Sequence, residues 1–172
     1  MVELGDQKLD VKVSVKTLGE RVWAKEYFER LGFYHYCIDL HGMNGAHPID
    51  LCRTIDDPFW IGKFDVLTNC GTSEHVLDQH MCWENIHNLV KVGGIFIHVL
   101  PKIGCWPDHS PYAYQHKFLV NLSIINHYRV IFVDYLTSVK CYAACLIKQK
   151  PDSFHWSDMG VVENSNEDNT GL

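Results

Sequence analysis

The sequence predicts an α/β fold in which helices cover both faces of a mostly parallel sheet, a three-layer α/β/α sandwich. Short runs of β-branched and aromatic residues alternate with longer segments that carry apolar residues at helical spacing. Residues 95–100 are continuously apolar, which is typical of a strand buried on both faces of a parallel sheet. Near the end of the chain, two closely spaced strand-like segments predict that the sheet ends in an antiparallel hairpin strand.

The composition is that of one globular domain. The chain has 172 residues, of which 47% are apolar and 21% charged, so it can bury a core without disulfides or metals. Its net charge of −6 gives no general attraction to nucleic acid or to anionic membranes. The N-terminus does not resemble a signal peptide, and no apolar run approaches the roughly 20 residues of a membrane helix. We therefore expect a cytoplasmic protein with reduced cysteines, without nucleic-acid or membrane partners.

The first half of the chain predicts short strands, one helix and loops. A first strand ends near Leu4 and is truncated, because the chain starts almost on top of it. Residues 18–31 have apolar side chains at helical spacing, and a glycine follows as a stop. Residues 34–39 predict the second strand, and residues 49–51 predict a fragment of the third after a glycine-rich loop.

The second half of the chain predicts two more parallel strands with a helix between them. The fourth strand covers residues 64–69 and the fifth covers residues 95–100. Between them, residues 75–90 carry apolar side chains on one helical face. Thr72 or Ser73 can cap this helix, and a pair of glycines at 93 and 94 would stop it.

A second helix and the hairpin complete the predicted domain. The helix covers residues 114–126, and the hairpin strands cover residues 128–136 and 139–148. Residues 1–150 therefore form the domain. The acidic segment 151–172, rich in Asn and Ser, is predicted to be a mobile tail.

Acidic and small residues follow the predicted strands in order. Ligands of open parallel sheets bind outside the carboxyl ends of the strands, where the strand order reverses. At these ends the sequence places Glu3 and Gly5, then Asp39, then Asp50 and Leu51, and finally Asn69, Cys70 and Gly71.

This ordered set resembles the class I (Rossmann-like) S-adenosylmethionine-dependent methyltransferases over residues 2 to about 148. The turn Lys91-Val92-Gly93-Gly94 before an apolar strand and the reversed last strand belong to the same resemblance. It implies that S-adenosylmethionine is the cofactor. Glu3 and Gly5 end the first strand, where the glycine lets the backbone approach the methionine part of the cofactor. Asp39 would accept hydrogen bonds from the ribose hydroxyls.

The resemblance also assigns the rest of the cofactor site. Asp50 and Leu51 would hold the edge and the face of the adenine, and residues 69–71 would line the cofactor through their backbone. One departure is the loop after the first strand, which keeps a single glycine and has Asp6 and Gln7 where further glycines are usual.

On the acceptor side, His75, His98 and His109 are candidate catalytic bases, with His75 and His109 preferred. Imidazole has a pKa suited to taking a proton from an attacking oxygen or nitrogen. Trp106 and Tyr112 lie in the loop after the fifth strand and either contact a flat or apolar substrate or only pack the loop. We expect a cavity bounded by His75, His109 and Tyr112 that opens onto the cofactor cleft.

The 11 histidines also invite a metal hypothesis. His98, Cys105, Asp108 and His109 lie at or after the end of one strand, and His75 and His80 lie on the neighbouring predicted helix. The spacing of these residues matches no closed zinc pattern. We therefore expect no metal site.

Three functions are compared. The first is transfer of a methyl group to a small-molecule acceptor by in-line displacement, with alignment of the reactants supplying much of the acceleration. The second is a non-catalytic, methyltransferase-like binding or assembly module, which the altered glycine loop and the short first strand favour. A Rossmann-type oxidoreductase ranks low, because Gly-x-Gly-x-x-Gly is absent after the first strand. The sequence determines neither the acceptor nor the oligomeric state.

Overall fold

A computed structural model of the protein describes residues 1–9, 22–157 and 160–163. Within these residues the strands are, in chain order, β1 (Val2–Leu4), β2 (Lys8–Leu9), β3 (Val22–Trp23), β4 (Tyr36–Asp39), β5 (His47–Pro48), β6 (Phe64–Cys70), β7 (Val90–Pro101), β8 (Tyr112–Tyr114), β9 (Tyr128–Leu136), β10 (Cys141–Lys148) and β11 (Val161–Glu163). The α-helices are α1 (Ala24–Arg30), α2 (Gln79–Leu89) and α3 (His116–Ile125).

Seven of the strands form one sheet in the order β5-β4-β1-β6-β7-β10-β9. Neighbouring strands are parallel except at β10, which is antiparallel to both β7 and β9. With helices on both faces, this is the predicted three-layer, Rossmann-like α/β/α fold. β10 lies between β7 and β9, so β9 forms this edge of the sheet and β5 forms the opposite edge. The strand order reverses between β1 and β6, which is where such sheets bind ligands.

The core lies between the sheet and the pair α2 and α3. Trp83 of α2 packs edge-on against Phe118 of α3 with 4.8 Å between the ring centroids, and both side chains are fully buried. Apolar residues at helical spacing place Cys82, Ile86 and Leu89 of α2 in the same core. Phe28 of α1 lies outside this core cluster, and its half-buried ring stacks on that of the buried His35 with 5.8 Å between the ring centroids.

The predicted helix over residues 75–90 was wrong at both ends. α2 begins after Asp78, whose carboxylate accepts a hydrogen bond from the backbone amide of Met81 at 2.9 Å. Residues Ser73–His75 form a separate 3₁₀ turn, so neither Thr72 nor Ser73 caps the helix. The chain enters β7 directly at Val90, and the two glycines predicted to stop the helix lie inside that strand.

The first half of the chain differs from the prediction in two elements. Of the described residues 22–31 in the predicted helix 18–31, residues 24–30 are helical, and Val22 and Trp23 instead pair with Lys8 and Leu9. Residues 18–21 of that prediction lie outside the described residues. The strand predicted third in the parallel sheet is β5, which covers His47–Pro48. Residues 49–51, predicted as a fragment of this strand, therefore follow it.

The hairpin of β9 and β10 is antiparallel as predicted, with a longer turn. The amide of Val139 donates to the carbonyl of Leu136 at 3.3 Å, and Lys140 adopts a left-handed backbone with φ +53°. Residues 137–140 therefore form the turn, and β10 starts at Cys141 rather than at residue 139.

The segment after residue 150, predicted as a mobile tail, is packed against the domain in its described parts. Phe154 is buried in the main core. The amide of His155 donates to the Asn126 side chain at 2.8 Å, and β11 pairs with β8. Residues 158–159 and 164–172 lie outside the described residues. In the described part of the chain, no helix has the length and apolar character needed to cross a bilayer.

Candidate functional site

A cleft of about 590 Å³ lies at the point where the strand order reverses. Its walls are formed by residues 5–7, 38–41, 49–52, 71–72 and 75–77, in the loops that follow β1, β4, β5 and β6. The volume is in the range of pockets that bind small molecules and cofactors. Among the predicted site residues, those that line this cleft are Gly5, Asp39, Asp50, Leu51, Gly71 and His75.

Gly5 lies at the end of β1 and contacts residues at the ends of β4 and β6. Its amide donates to the carbonyl of Ile38 at 2.8 Å, and its φ of +76° is a conformation that favours glycine. A Cβ atom here would lie 2.5 Å from Oγ1 of Thr72. Thr72 in turn donates to the carbonyl of Leu4 at 2.8 Å. A glycine is therefore required for Thr72 to close over the end of β1.

Two of the three acidic residues that line the cleft, Asp39 and Asp50, were predicted for the site, and their carboxylate oxygens are bonded differently. Oδ1 of Asp39 accepts a hydrogen bond from the backbone amide of His41 at 2.8 Å. Within the described residues no donor bonds its second oxygen, which leaves Oδ2 for a ligand. Oδ1 of Asp50 accepts from the amide of Cys52 at 2.9 Å, and its Oδ2 lies 3.4 Å from Nε of Arg53. Asp50 thus stabilises its own turn.

Asn69, predicted to line the cofactor, instead holds the turn after β6. Its side chain is fully buried, accepts from the amide of Ser73 at 3.1 Å and donates to Oγ of Ser73 at 2.9 Å. Tyr114 donates to the same hydroxyl at 2.9 Å. Cys70 also lies outside the cleft lining, and burial raises the pKa of its thiol to about 11.

Glu3, the other predicted cofactor residue of β1, does not reach the cleft. Alternate residues of a strand face opposite sides of the sheet, and Glu3 lies opposite to Val2 and Leu4. Its Oε2 is 3.5 Å from Nε2 of the buried His35. Burial raises the pKa of the Glu3 carboxyl. Of the two residues predicted at the end of the first strand, Glu3 and Gly5, Gly5 is the one that lines the cleft.

The four residues predicted for the acceptor side gather at one end of the cleft. The His75 and His109 rings are 5.0 Å apart, and the Trp106 ring is 5.3 Å from His109. The Tyr112 hydroxyl donates to the carbonyl of Leu77 at 2.9 Å, which holds its loop against the cleft wall. Of the four, His75 lines the cleft. Burial, with a smaller contribution from His109, lowers the pKa of His75 and favours the neutral imidazole.

Sequence reasoning missed several residues of this region. Thr72 was interpreted as a helix cap, although it follows the fourth strand directly and lines the cleft. Glu74 has no predicted role in the site. The structure buries it to 1% exposure, and burial raises the pKa of its carboxyl to about 7. The sequence signal for Glu74 was its position as an acidic residue shortly after the end of a strand. Its burial could not be predicted, because burial depends on contacts with residues distant in sequence.

Solved structures include 19 chains that match this one. Among them is the crystal structure of a Burkholderia thailandensis 1,6-didemethyltoxoflavin-N1-methyltransferase with bound 1,6-didemethyltoxoflavin and S-adenosylhomocysteine. It is 12% identical to this chain, with a TM-score of 0.55, and the match covers 87% of this chain and 71% of that one. No protein-family model and no curated protein sequence matches the chain. The likeness shows that the chain has the fold of that methyltransferase.

Proposed function

We propose that the protein is an S-adenosylmethionine-dependent methyltransferase acting on a small-molecule acceptor. One observation carries this proposal: Gly5, Asp39 and Gly71 come from three different strand ends and converge on one cleft where the strand order reverses. The fold is shared with a methyltransferase that holds S-adenosylhomocysteine. The position of a ligand in such sheets follows from their topology.

The cleft offers a contact for each part of the cofactor. The free oxygen of Asp39 suits a ribose hydroxyl, because a carboxylate is a strong acceptor for such donors. Leu51 offers an apolar surface to the adenine, and Gly5 and Gly71 line the part of the cleft where the methionine part would lie. Asp50 would act by shaping its turn. When bound, S-adenosylmethionine supplies an electrophilic methyl group.

The acceptor would bind at the end of the cleft formed by His75, with Tyr112 and Trp106 holding the adjoining loop. A neutral imidazole can take a proton from an acceptor oxygen or nitrogen. His75 fits that role by position, since its ring lines the cleft. The catalytic roles of His75 and His109 remain predictions.

A non-catalytic binding module is the second candidate, and a specific observation favours it. The space above Gly5 is filled by protein atoms, with Gln7 Nε2 and Thr72 Oγ1 at 2.8 and 2.5 Å from the position of a Cβ. In a glycine-richer loop this space would be open to the methionine part of a cofactor. Gln7 would therefore have to move for S-adenosylmethionine to bind.

Calorimetric titration with S-adenosylmethionine and with S-adenosylhomocysteine tests the proposal. We expect both to bind with one equivalent per chain and to raise the melting temperature. Absence of binding by both would refute the methyltransferase proposal and leave the binding module.

A further inference from the structure

Glu74 is a buried carboxylate beside the cleft with an oxygen that no protein group uses. Its side chain is among the most buried polar groups of the described chain, at 1% exposure. Its Oε2 has no hydrogen-bond partner among the described residues. Buried polar atoms are normally bonded, because an unpaired one retains the full cost of leaving water. Four other buried side-chain atoms, on His35, Thr68 and His98, share this state, and Glu74 is the one carboxylate among these described residues. What distinguishes it is the pair of imidazoles beside it.

Two imidazoles lie against this carboxylate. His75 follows Glu74 in the 3₁₀ turn Ser73–His75, and His109 comes from the loop between β7 and β8. One ligand atom from each of the three residues lies within 4.8 Å of the other two. The cluster thus joins two chain segments that are separate in sequence.

Both segments are held in place by bonds outside the cluster. Ser73, next to Glu74, is bonded through its amide and its hydroxyl to Asn69. The loop that carries His109 is tied to the cleft wall by the bond from Tyr112 to the carbonyl of Leu77. Fixed backbones with exposed imidazoles would let the rings turn while the carboxylate stays in place.

We propose that Glu74, His75 and His109 form a binding site for a divalent transition-metal ion of the zinc type. Two imidazoles and one carboxylate are a set that zinc takes with an open fourth position. Metal bonds of roughly 2.0–2.2 Å require ligand atoms about 3.4 Å apart in a tetrahedron. Rotation of the two exposed rings would have to bring the ligand atoms from within 4.8 Å of one another to that spacing.

The open position would face the cleft, since His75 lines it. The inference goes beyond the proposed methyl transfer and does not depend on it. It also differs from a base role for the histidines, because a nitrogen that coordinates a metal cannot accept a proton. The placement of the buried Glu74 carboxyl beside both imidazoles favours the metal, since a base role for His75 alone would leave that placement unexplained. The sequence-based expectation of no metal rested on spacing alone.

The test uses the full chain, stripped of metal with a chelator and titrated with Zn²⁺ by calorimetry and with Co²⁺ by absorption. We expect one equivalent of each ion, with a Co²⁺ spectrum that lacks a thiolate charge-transfer band. Glu74→Gln and His109→Ala should each weaken binding at least about tenfold. His116→Ala, an exposed histidine at the start of α3, should bind as the wild type does.

Several results would overturn the site. These are no stoichiometric binding to the wild type, a thiolate band, or unchanged affinity in both folded variants. His109 is on an exposed loop, so its variant should fold even if Glu74→Gln does not, and melting curves check this. The titrations contain no cofactor. Zinc binding without S-adenosylhomocysteine binding would therefore refute the proposed function alone, and the reverse result would refute the metal site alone.

Discussion

At the scale of single residues, Gly5 determines whether the loops around the cleft can close. Its left-handed backbone and the contact with Thr72 leave no space for a Cβ atom. Two separate effects therefore oppose a side chain here, backbone strain and a steric clash.

Gly5→Ala should lower the free energy of unfolding by more than Gly104→Ala does. Gly104 has a nearly identical φ of +75°, but a Cβ added there meets nothing within 4 Å. The control therefore carries the backbone cost of roughly 1–2 kcal/mol alone. Denaturant unfolding of the two variants measures the difference. Equal losses of unfolding free energy in the two variants would show that Thr72 moves away from the added Cβ atom without destabilising the fold.

Asp39→Ala should weaken S-adenosylhomocysteine binding by at least about tenfold if the proposed cofactor site is right. Each hydrogen bond to a charged group contributes roughly 1.5–3 kcal/mol. Calorimetry measures the affinity, and Asp56→Ala, an exposed aspartate outside the cleft lining, is the control. An Asp39 variant with wild-type affinity would remove this residue from the site.

At the scale of elements, His87 links α2 to β9 and to the segment after β10. Its Nε2 donates to the carbonyl of Asp152 at 2.8 Å, so its Nδ1 accepts from the Tyr128 hydroxyl at 2.7 Å. Burial, and then the positive charge of Lys148, lower the pKa of His87 to about 4. Asp152 raises it by a smaller amount, and His155 lowers it further.

His87→Gln should flatten the pH dependence of the free energy of unfolding in acid. The folded chain holds His87 neutral, so its contribution is complete above the unfolded pKa of 6.5. It is lost as the pH falls from 6.5 towards about 4, where the folded state also takes the proton. Chemical unfolding at several pH values measures the slope, and His116→Gln, an exposed histidine, should keep the wild-type slope.

The pH dependence of unfolding is compared between variants because Glu74 has the opposite effect to His87, stabilising the folded state as the pH falls. Glu74 has a raised pKa of about 7, so the folded state gains a proton there first as the pH falls. That term is present in all three proteins and cancels. A His87→Gln slope equal to that of the wild type would show that His87 charges without unfolding its surroundings.

At the scale of the whole molecule, the segment after β10 completes the core rather than leaving it. Phe154 packs with the residues of α2 and β9, and Asn126 binds both the amide and the carbonyl of His155. The folded unit therefore extends past residue 150.

A chain ending at residue 150 should melt roughly 3–12 °C below a chain ending at residue 163. Burial of one phenylalanine contributes about 1.5–3 kcal/mol, and 1 kcal/mol corresponds to about 2–4 °C at this size. Thermal unfolding by circular dichroism compares the two. Within the longer chain, Phe154→Ala should lower the melting temperature and Phe59→Ala, which is half exposed, should change it little. Equal melting of the two chains would mean that the segment adds no stability.

The sequence by itself determined the fold class and the order of the strand ends that meet at the cleft. Both follow from local patterns, since the period of apolar residues separates strands from helices and parallel strands end on one side of the sheet. For the same reason Gly5, Asp39 and Gly71, which follow three of the predicted strands, line one cleft, and their binding of a cofactor stays a prediction.

Only the tertiary structure decided what those side chains do. The direction of Glu3 towards His35, the use of Asn69 to hold Ser73, and the burial of Glu74 depend on partners from other parts of the chain. Burial of Phe154 and its segment depends in the same way on α2, more than 60 positions earlier. Local pattern carries no information on such contacts, because they arise only when distant segments pack and each buried polar atom must find a partner.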